Sequence, residues 1–185
     1  MTWIITATGR EQNLAVPGEV PIEEIAHALA QVNRFGGHCC RPYSVAEHSL
    51  LVANIMEHDF QGSPSLVLAA LMHDAHEAMV GDMVSPAKCI VGGGWARYEA
   101  GWEIAIREQF GLEGDHALIK RCDLIALATE RRDLLPVNSL HTPWPVLQGV
   151  EPLTRVVLSR QDKSWREMHH VFLDRFYELL RRALS

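Results

Sequence analysis

Along most of this chain apolar positions recur with a helical period rather than in strict alternation. Ile22, Ile25, Ala26 and Leu29 share one helix face behind Pro21, a residue suited to a first turn, and predict a helix over 22–33. Val45, Leu51, Val52 and Ile55 predict a second over 44–58, where Ser44 and Glu47 stand in the Ser-x-x-Glu order of a capping box. Gly62-Ser63-Pro64 breaks the chain, and a third, strongly apolar helix is predicted over 65–80, closed by Gly81. Val91-Gly92-Gly93-Gly94 reads as a flexible loop. Helical spacing resumes over 96–110 and 115–134. Pro136, Pro143, Pro145 and Pro152 keep the following stretch irregular, and a final helix is predicted over 162–180. Residues 3–6 suit a short strand. No repeat or polar linker divides the pattern, which therefore predicts one all-α domain over residues 1–185.

Composition narrows the picture. With 185 residues, 48% of them hydrophobic and 22% charged, the chain is long enough to bury a core without disulfides. Lys and Arg number 17 against 23 Asp and Glu, a net charge of −6, which disfavours a general nucleic-acid coat, since such proteins draw affinity from neutralised phosphates. The longest apolar run, 66–72, is far short of a membrane span, and the opening residues lack the basic and apolar regions of a signal peptide. A cytoplasmic location is expected. Cys39, Cys40, Cys89 and Cys122 show no Cys-x-x-Cys spacing and are expected to be free thiols. Histidine, at 10 residues, is the chemistry to explain.

The most informative segment is Leu71-Met72-His73-Asp74-Ala75-His76-Glu77, within the most apolar predicted helix. Buried ionisable groups are costly unless paired or bound to metal, so His73 and Asp74 need partners there. On a helix these neighbours stand about 100° apart and can converge on one ion, while Glu77 returns to the same side one turn later. A solvated helix with scattered polar residues would carry the same letters. His73 and His76 have the wrong spacing for a His-Glu-x-x-His protease helix, no Gly-x-Ser-x-Gly elbow is present, and 91–94 lacks the Gly-Lys-Ser/Thr ending of a phosphate loop. His48, in the first turn of the second helix, and Asp123, on the helix over 115–134, offer one more imidazole and one more carboxylate.

In this order the segments resemble the HD-domain metal-dependent phosphohydrolases, whose pattern is a first His, a central His-Asp pair and a distant Asp on separate helices of a compact helical bundle. The matching stretches are Arg34-Phe35-Gly36-Gly37-His38, Tyr43-Ser44-Val45-Ala46-Glu47-His48-Ser49, His73-Asp74-Ala75-His76-Glu77-Ala78, Gly81-Asp82, Ser85-Pro86-Ala87-Lys88 and Asp123. They are similar to the nucleotide-hydrolysing branch, which includes YfbR-type 5'-deoxynucleotidases, YfdR-like proteins and phage dATP triphosphohydrolases. The likeness extends over about residues 1–135, leaving an irregular segment and the last helix in 136–185.

The resemblance implies that His48, His73, Asp74 and Asp123 hold one divalent ion. Two imidazoles with two carboxylates suit Co²⁺, Mn²⁺, Zn²⁺, Ni²⁺ or Fe²⁺, with Mg²⁺ accompanying the substrate phosphates as a further possibility. It implies that Glu77 orients a water or exchanges protons with it and that Asp82 supports the substrate side. Arg34 would grip phosphate, with Phe35 and His38 reaching substrate. Lys88 and Lys120 are weaker phosphate candidates, each equally compatible with a solvated role. The remaining histidines, His27, His58, His76, His116, His141, His169 and His170, are expected to pack or to face solvent. The implied activity is release of phosphate from a small nucleotide, foremost a deoxynucleotide, by a cytoplasmic homo-oligomer that engages neither nucleic-acid polymers nor membranes. The rival is a regulatory protein that keeps metal and nucleotide without turnover. A cyclic-dinucleotide phosphodiesterase is disfavoured because no Gly-Tyr-Pro follows the His-Asp pair.

Overall fold

The computed structural model describes residues 1–136, 142–155 and 158–185. Within them lie eight α-helices and one short hairpin, the all-α architecture that the periodicity predicts. Strand β1 (Trp3–Ile5) pairs antiparallel with β2 (Glu11–Asn13), and Gly9 turns between them at φ 84°. The hairpin is tied to the first helix through the buried carboxylate of Glu24, which accepts from Thr6 Oγ1 at 2.6 Å, from Thr8 and from Arg10 Nη2 at 2.7 Å.

Helix α1 (Ile22–Leu29) stops four residues short of the predicted 22–33. The chain beyond it is drawn into extended pairing with the segment before the next helix. Arg34 N–H donates to Tyr43 O at 2.9 Å and Val45 N–H to Val32 O at 2.9 Å. These tertiary bonds satisfy backbone groups that continued helix would otherwise have to pair. A 3₁₀ turn, Arg34–Gly37, follows, with Phe35 at φ 56° and Gly36 at φ 60° in the left-handed region. Arg34 therefore opens a tight turn and does not end a helix.

Helix α2 (Val45–His58) begins at Ser44, whose Oγ accepts from Glu47 N–H at 3.2 Å. Only half of the expected capping box forms. The Glu47 carboxylate turns away to Arg41, at 2.7 and 2.9 Å, and to Lys163 at 2.9 Å, because charged donors outcompete a backbone N–H for it.

The predicted helix over 65–80 is in fact two. Helix α3 (Pro64–Leu71) ends at Met72, and α4 (Glu77–Val80) is a single turn closed by Gly81 at φ 79°. Between them Ala75 N–H donates to Met72 O and Glu77 N–H to Asp74 O, the i to i+3 pattern of a tightened turn. Residues 85–91, expected to lead into a loop, form helix α5 (Ser85–Val91), and Gly92 alone separates it from α6 (Gly93–Gln109). Pro86 in the first turn supplies a preset φ, and Gly92 at φ 75° caps both helices. Helix α7 (His116–Leu134) starts from Asp115, whose Oδ1 accepts from Ala117 and Leu118 N–H. After a 3₁₀ turn at Pro145–Leu147 comes α8 (Trp165–Ala183), capped by Ser164.

Helix α2 packs against α1, α3, α7 and α8, so the core sits around it. Ile55, Met56, Leu71, Phe172 and Leu179 are fully buried there, each worth roughly 1.5–3 kcal/mol of burial. Trp102 of α6 is also fully buried, and its Nε1–H donates to Leu14 O, fastening α6 to the chain after the hairpin. This packing fixes the first turn of α2, the turn over 72–76 and the middle of α7 relative to one another. None of the helices in the described residues is long and apolar enough to cross a membrane.

Candidate metal centre

His48 stands in the first turn of α2 with no solvent exposure. Its Nδ1–H donates to Glu130 Oε1, from α7, at 2.5 Å. The carboxylate thereby fixes the tautomer and leaves Nε2 as the free nitrogen. His73 reaches the same arrangement by another route. Its Nδ1–H donates to Ala70 O at 2.8 Å, taking a carbonyl that a continued helix would offer to Asp74 N–H, and its Nε2 is likewise left free. That side-chain bond accompanies the end of α3 at this point, so His73 and Asp74 converge from a turn rather than from the continuous helix expected.

The two free nitrogens are 3.3 Å apart. Asp74 Oδ2 lies 3.1 Å from His73 Nε2 and 3.5 Å from His48 Nε2, and Asp123 Oδ1 lies 3.2 Å from His48 Nε2. Donors about 2.1 Å from a common ion would be roughly 3.0–3.4 Å apart, so these separations fit one cation. His48, His73 and Asp74 form the tight set, with ligand atoms all within 4.8 Å of one another, and Asp123 joins it along the His48 edge.

The electrostatics also favour positive charge there. Burial and Arg34 oppose protonation of His48, but Glu130 and Asp123 outweigh them and raise its pKa to about 9. Burial pushes Asp74 upward, but His73 and His48 hold it well below the usual carboxylate range; His48 does the same for Asp123. Glu77 moves the other way. Burial first, then Asp74 and Asp82, raise its pKa, and burial with Asp74 raises that of Asp82. Adjacent carboxylates are therefore driven to opposite protonation states, the condition under which such groups divide acid and base work.

Arg34 is buried between the two halves, with Nη2 3.3 Å from Glu130 Oε2 and Nη1 3.7 Å from Asp74 Oδ2. Glu130 and Asp74 keep it charged against the cost of burial. Phe35 is half-buried with its ring 5.5 Å from that guanidinium, and His38 is exposed at the end of the turn. Lys120 binds Asp123 Oδ2 at 2.7 Å, and Lys88 binds Glu99 Oε1 at 2.6 Å. Each lysine is thus already paired with a carboxylate. Glu77 is buried, as is His76, and these two form with Asp74 a second close group of ligand atoms. His141 lies outside the described residues.

Sequence reasoning passed over Glu130 and Glu99, quoted Tyr43 only within a matching stretch, and placed His76 among the histidines expected to pack or face solvent; it is buried. Glu130 is seven residues beyond Asp123 on α7, two turns along the same face, and that spacing was the available signal. Tyr43 Oη donates to Glu130 Oε1 at 2.9 Å, making the carboxylate a hub for Tyr43, His48 and Arg34. Glu99, from α6, had no signal in its own segment. The four cysteines are free thiols. Two clefts of about 370 and 540 Å³ are lined in part by Glu47, Lys163 and Met168 and include none of His48, His73, Asp74 or Glu77.

No protein-family model matches the chain. It is 39% identical over 134 residues to the Escherichia coli K12 protein YfdR, covering 71% of this chain and 70% of that protein. It is also 39% identical over 115 residues to the Rhodobacter capsulatus protein RCAP_rcc00048, covering 60% and 59%. Both relatives are described as uncharacterized.

Proposed function

The chain belongs to the family of the Escherichia coli protein YfdR, and from that premise we propose that it is an HD-domain metal-dependent phosphohydrolase releasing phosphate from small nucleotides, deoxynucleotides foremost. The observation that carries this reading is the convergence of two imidazole Nε2 atoms and the Asp74 carboxylate at 3.1–3.5 Å, with Asp123 3.2 Å from His48 at one edge and the other nitrogen of each ring already bonded. His48, His73, Asp74 and Asp123 would hold the ion. When bound, a divalent cation supplies Lewis acidity toward a phosphoryl oxygen and makes water more acidic. Mn²⁺, Co²⁺, Fe²⁺, Ni²⁺ and Zn²⁺ all suit this nitrogen and oxygen set.

The chain's own groups do the rest. Arg34, beside Asp74, holds the phosphate against the donor set through a planar fork that can meet two oxygens. Glu77 follows Asp74 by three residues, and its unpartnered Oε2 orients the attacking water and exchanges protons with it. Asp82, whose pKa is raised by burial and by Asp74, supports the substrate side. Phe35, against the Arg34 fork, offers an aromatic edge to the nucleoside. Free thiols at all four cysteines agree with a reducing cytoplasm.

The test is phosphate release from a panel of ribo- and deoxynucleoside mono-, di- and triphosphates with added Mn²⁺ or Co²⁺, products resolved by chromatography. Turnover with a deoxynucleotide preference is the expected result, and the panel separates monophosphatase from triphosphohydrolase action. Metal and nucleotide binding without any release would overturn the enzyme reading in favour of a regulatory protein.

A further inference from the structure

Helices α1 and α8 pack against each other, and the face they share gathers three imidazoles that take no part in the donor set around Asp74. Tyr177 Oη donates to Glu23 Oε1 at 2.9 Å, while one turn along α1 His27 meets Trp165 with ring centroids 5.1 Å apart, so the two helices run in opposite directions. His27 also faces His169 at 6.0 Å between centroids, and His169 faces His170 at 5.2 Å, each pair edge to face. His27 and His169 are half-buried and His170 is exposed. The Nδ1 of His169 is buried on the bundle side, so Nε2 is the nitrogen its ring turns outward. Packing alone accounts for any one of these contacts. For a run of three it is a poor account, because a phenyl or aliphatic side chain would fill the same space without ring nitrogens to desolvate.

We propose that His27, His169 and His170 form a transition-metal site, separate from the donor set around Asp74, in which one zinc-like divalent ion ties α1 to α8. An ion about 2.1 Å from a ring nitrogen lies about 3.2 Å from that ring's centroid, so two imidazoles on one ion have centroids about 4.5–5.5 Å apart at ordinary coordination angles. His169 and His170 already stand at such a separation, and His27 reaches it by a small side-chain turn. Among the described residues the close sets of three ligand atoms both include Asp74, so this second site closes only as the ion binds. The rotation about Cβ–Cγ that aims each ring nitrogen is a soft torsion, and the exposure of His170 leaves it room to turn. Three imidazoles are neutral for the most part at pH 7 and suit Zn²⁺, Ni²⁺ or Cu²⁺, whereas Mn²⁺ stands lowest in affinity for such nitrogen donors. Glu23, one turn before His27 on α1, adds negative charge beside the ion, and water completes its shell.

This inference does not rest on the proposed function. The full chain, Asp74→Ala, His170→Ala and the double variant are stripped of metal with chelator and dialysed against micromolar ZnCl₂, and bound zinc is counted. His170→Ala should bind one equivalent fewer than the unmodified chain, with bound manganese unchanged in a parallel dialysis against MnCl₂. His27→Gln should match it. In Asp74→Ala, which lacks a ligand of the first centre, zinc should still raise the unfolding temperature, and adding His170→Ala should abolish that rise. Equal zinc in the unmodified chain and His170→Ala would overturn the site and leave the three rings as packing. A zinc-dependent rise that persists in the double variant would overturn it as well. Loss of the His170-dependent equivalent in a chain that releases no phosphate from any nucleotide would support this site and refute the proposed function alone.

Discussion

Glu130 and His48 meet at a point with no access to solvent, Nδ1 and Oε1 2.5 Å apart, although 82 residues separate them. The same carboxylate accepts from Tyr43 and Arg34. Glu130→Gln keeps the shape but removes the charge that fixes the His48 tautomer. Metal affinity should fall about 10- to 100-fold, the usual cost of losing such a partner. Stability should fall by about 3 kcal/mol, since Arg34 loses a buried counter-ion. Tyr43→Phe deletes one neutral donor and should cost only about 1 kcal/mol. Metal titration and urea unfolding of the two variants check this; equal metal affinity in Glu130→Gln would remove Glu130 from the centre.

Asp74 is the residue on which both halves of the site depend. Asp74→Ala should lower phosphate release by more than about 100-fold, beyond the loss expected from a supporting residue, with bound metal falling in parallel. Activity and metal content are read on the same preparation. Turnover unaffected by the substitution would refute the assigned site.

Arg34 offers a fork where lysine offers a point charge. Arg34→Lys should raise KM for nucleotide by about 10-fold or more, the scale of one charge-assisted hydrogen bond, while bound metal changes little. Steady-state kinetics with metal analysis distinguish this from a metal-site defect. An unchanged KM would assign phosphate binding to other groups.

Away from the site, Glu57 joins α2 to α8 by accepting from Arg182 at 2.8 Å and from Arg175. Burial opposes its ionisation, but the two arginines outweigh burial and lower its pKa. A depressed folded-state pKa adds stability above the ordinary carboxylate range, and that stability is lost as pH falls through the folded value. Glu57→Gln should therefore cost about 1 kcal/mol at pH 7, discounted for a network near the surface, and progressively less below pH about 4.5. Urea unfolding at pH 7 and pH 3.5 measures the difference.

The ordered histidines and aspartates were legible from their order along the chain and the family resemblance that order carries, with His48 behind Ser44 on α2 and Asp123 on α7; the turn that holds His73 and Asp74 was not. The start of α7 was legible from Asp115, whose side chain can cap locally. What escaped were features settled by contacts distant in sequence. The end of α1 depends on pairing between Asn33 and Ser44, and the Glu47 carboxylate is claimed by Arg41 and Lys163. The division of 65–80 into α3 and α4 coincides with the His73 side chain occupying the Ala70 carbonyl, which no apolar period records. Helix α5 has no buried residue and so leaves no apolar stripe to read.

Arg34 and Glu130 are 96 residues apart, and the donor set between them draws on α2, the turn over 72–76 and α7. During synthesis the early segments can fold locally, but His48 lacks its orienting carboxylate until α7 has emerged and docked. On the proposed metal-binding reading, capture would be timed by chain length: a nascent chain ending before residue 123 would have no Asp123 to give, and the ion would act as a late staple on a bundle already closed.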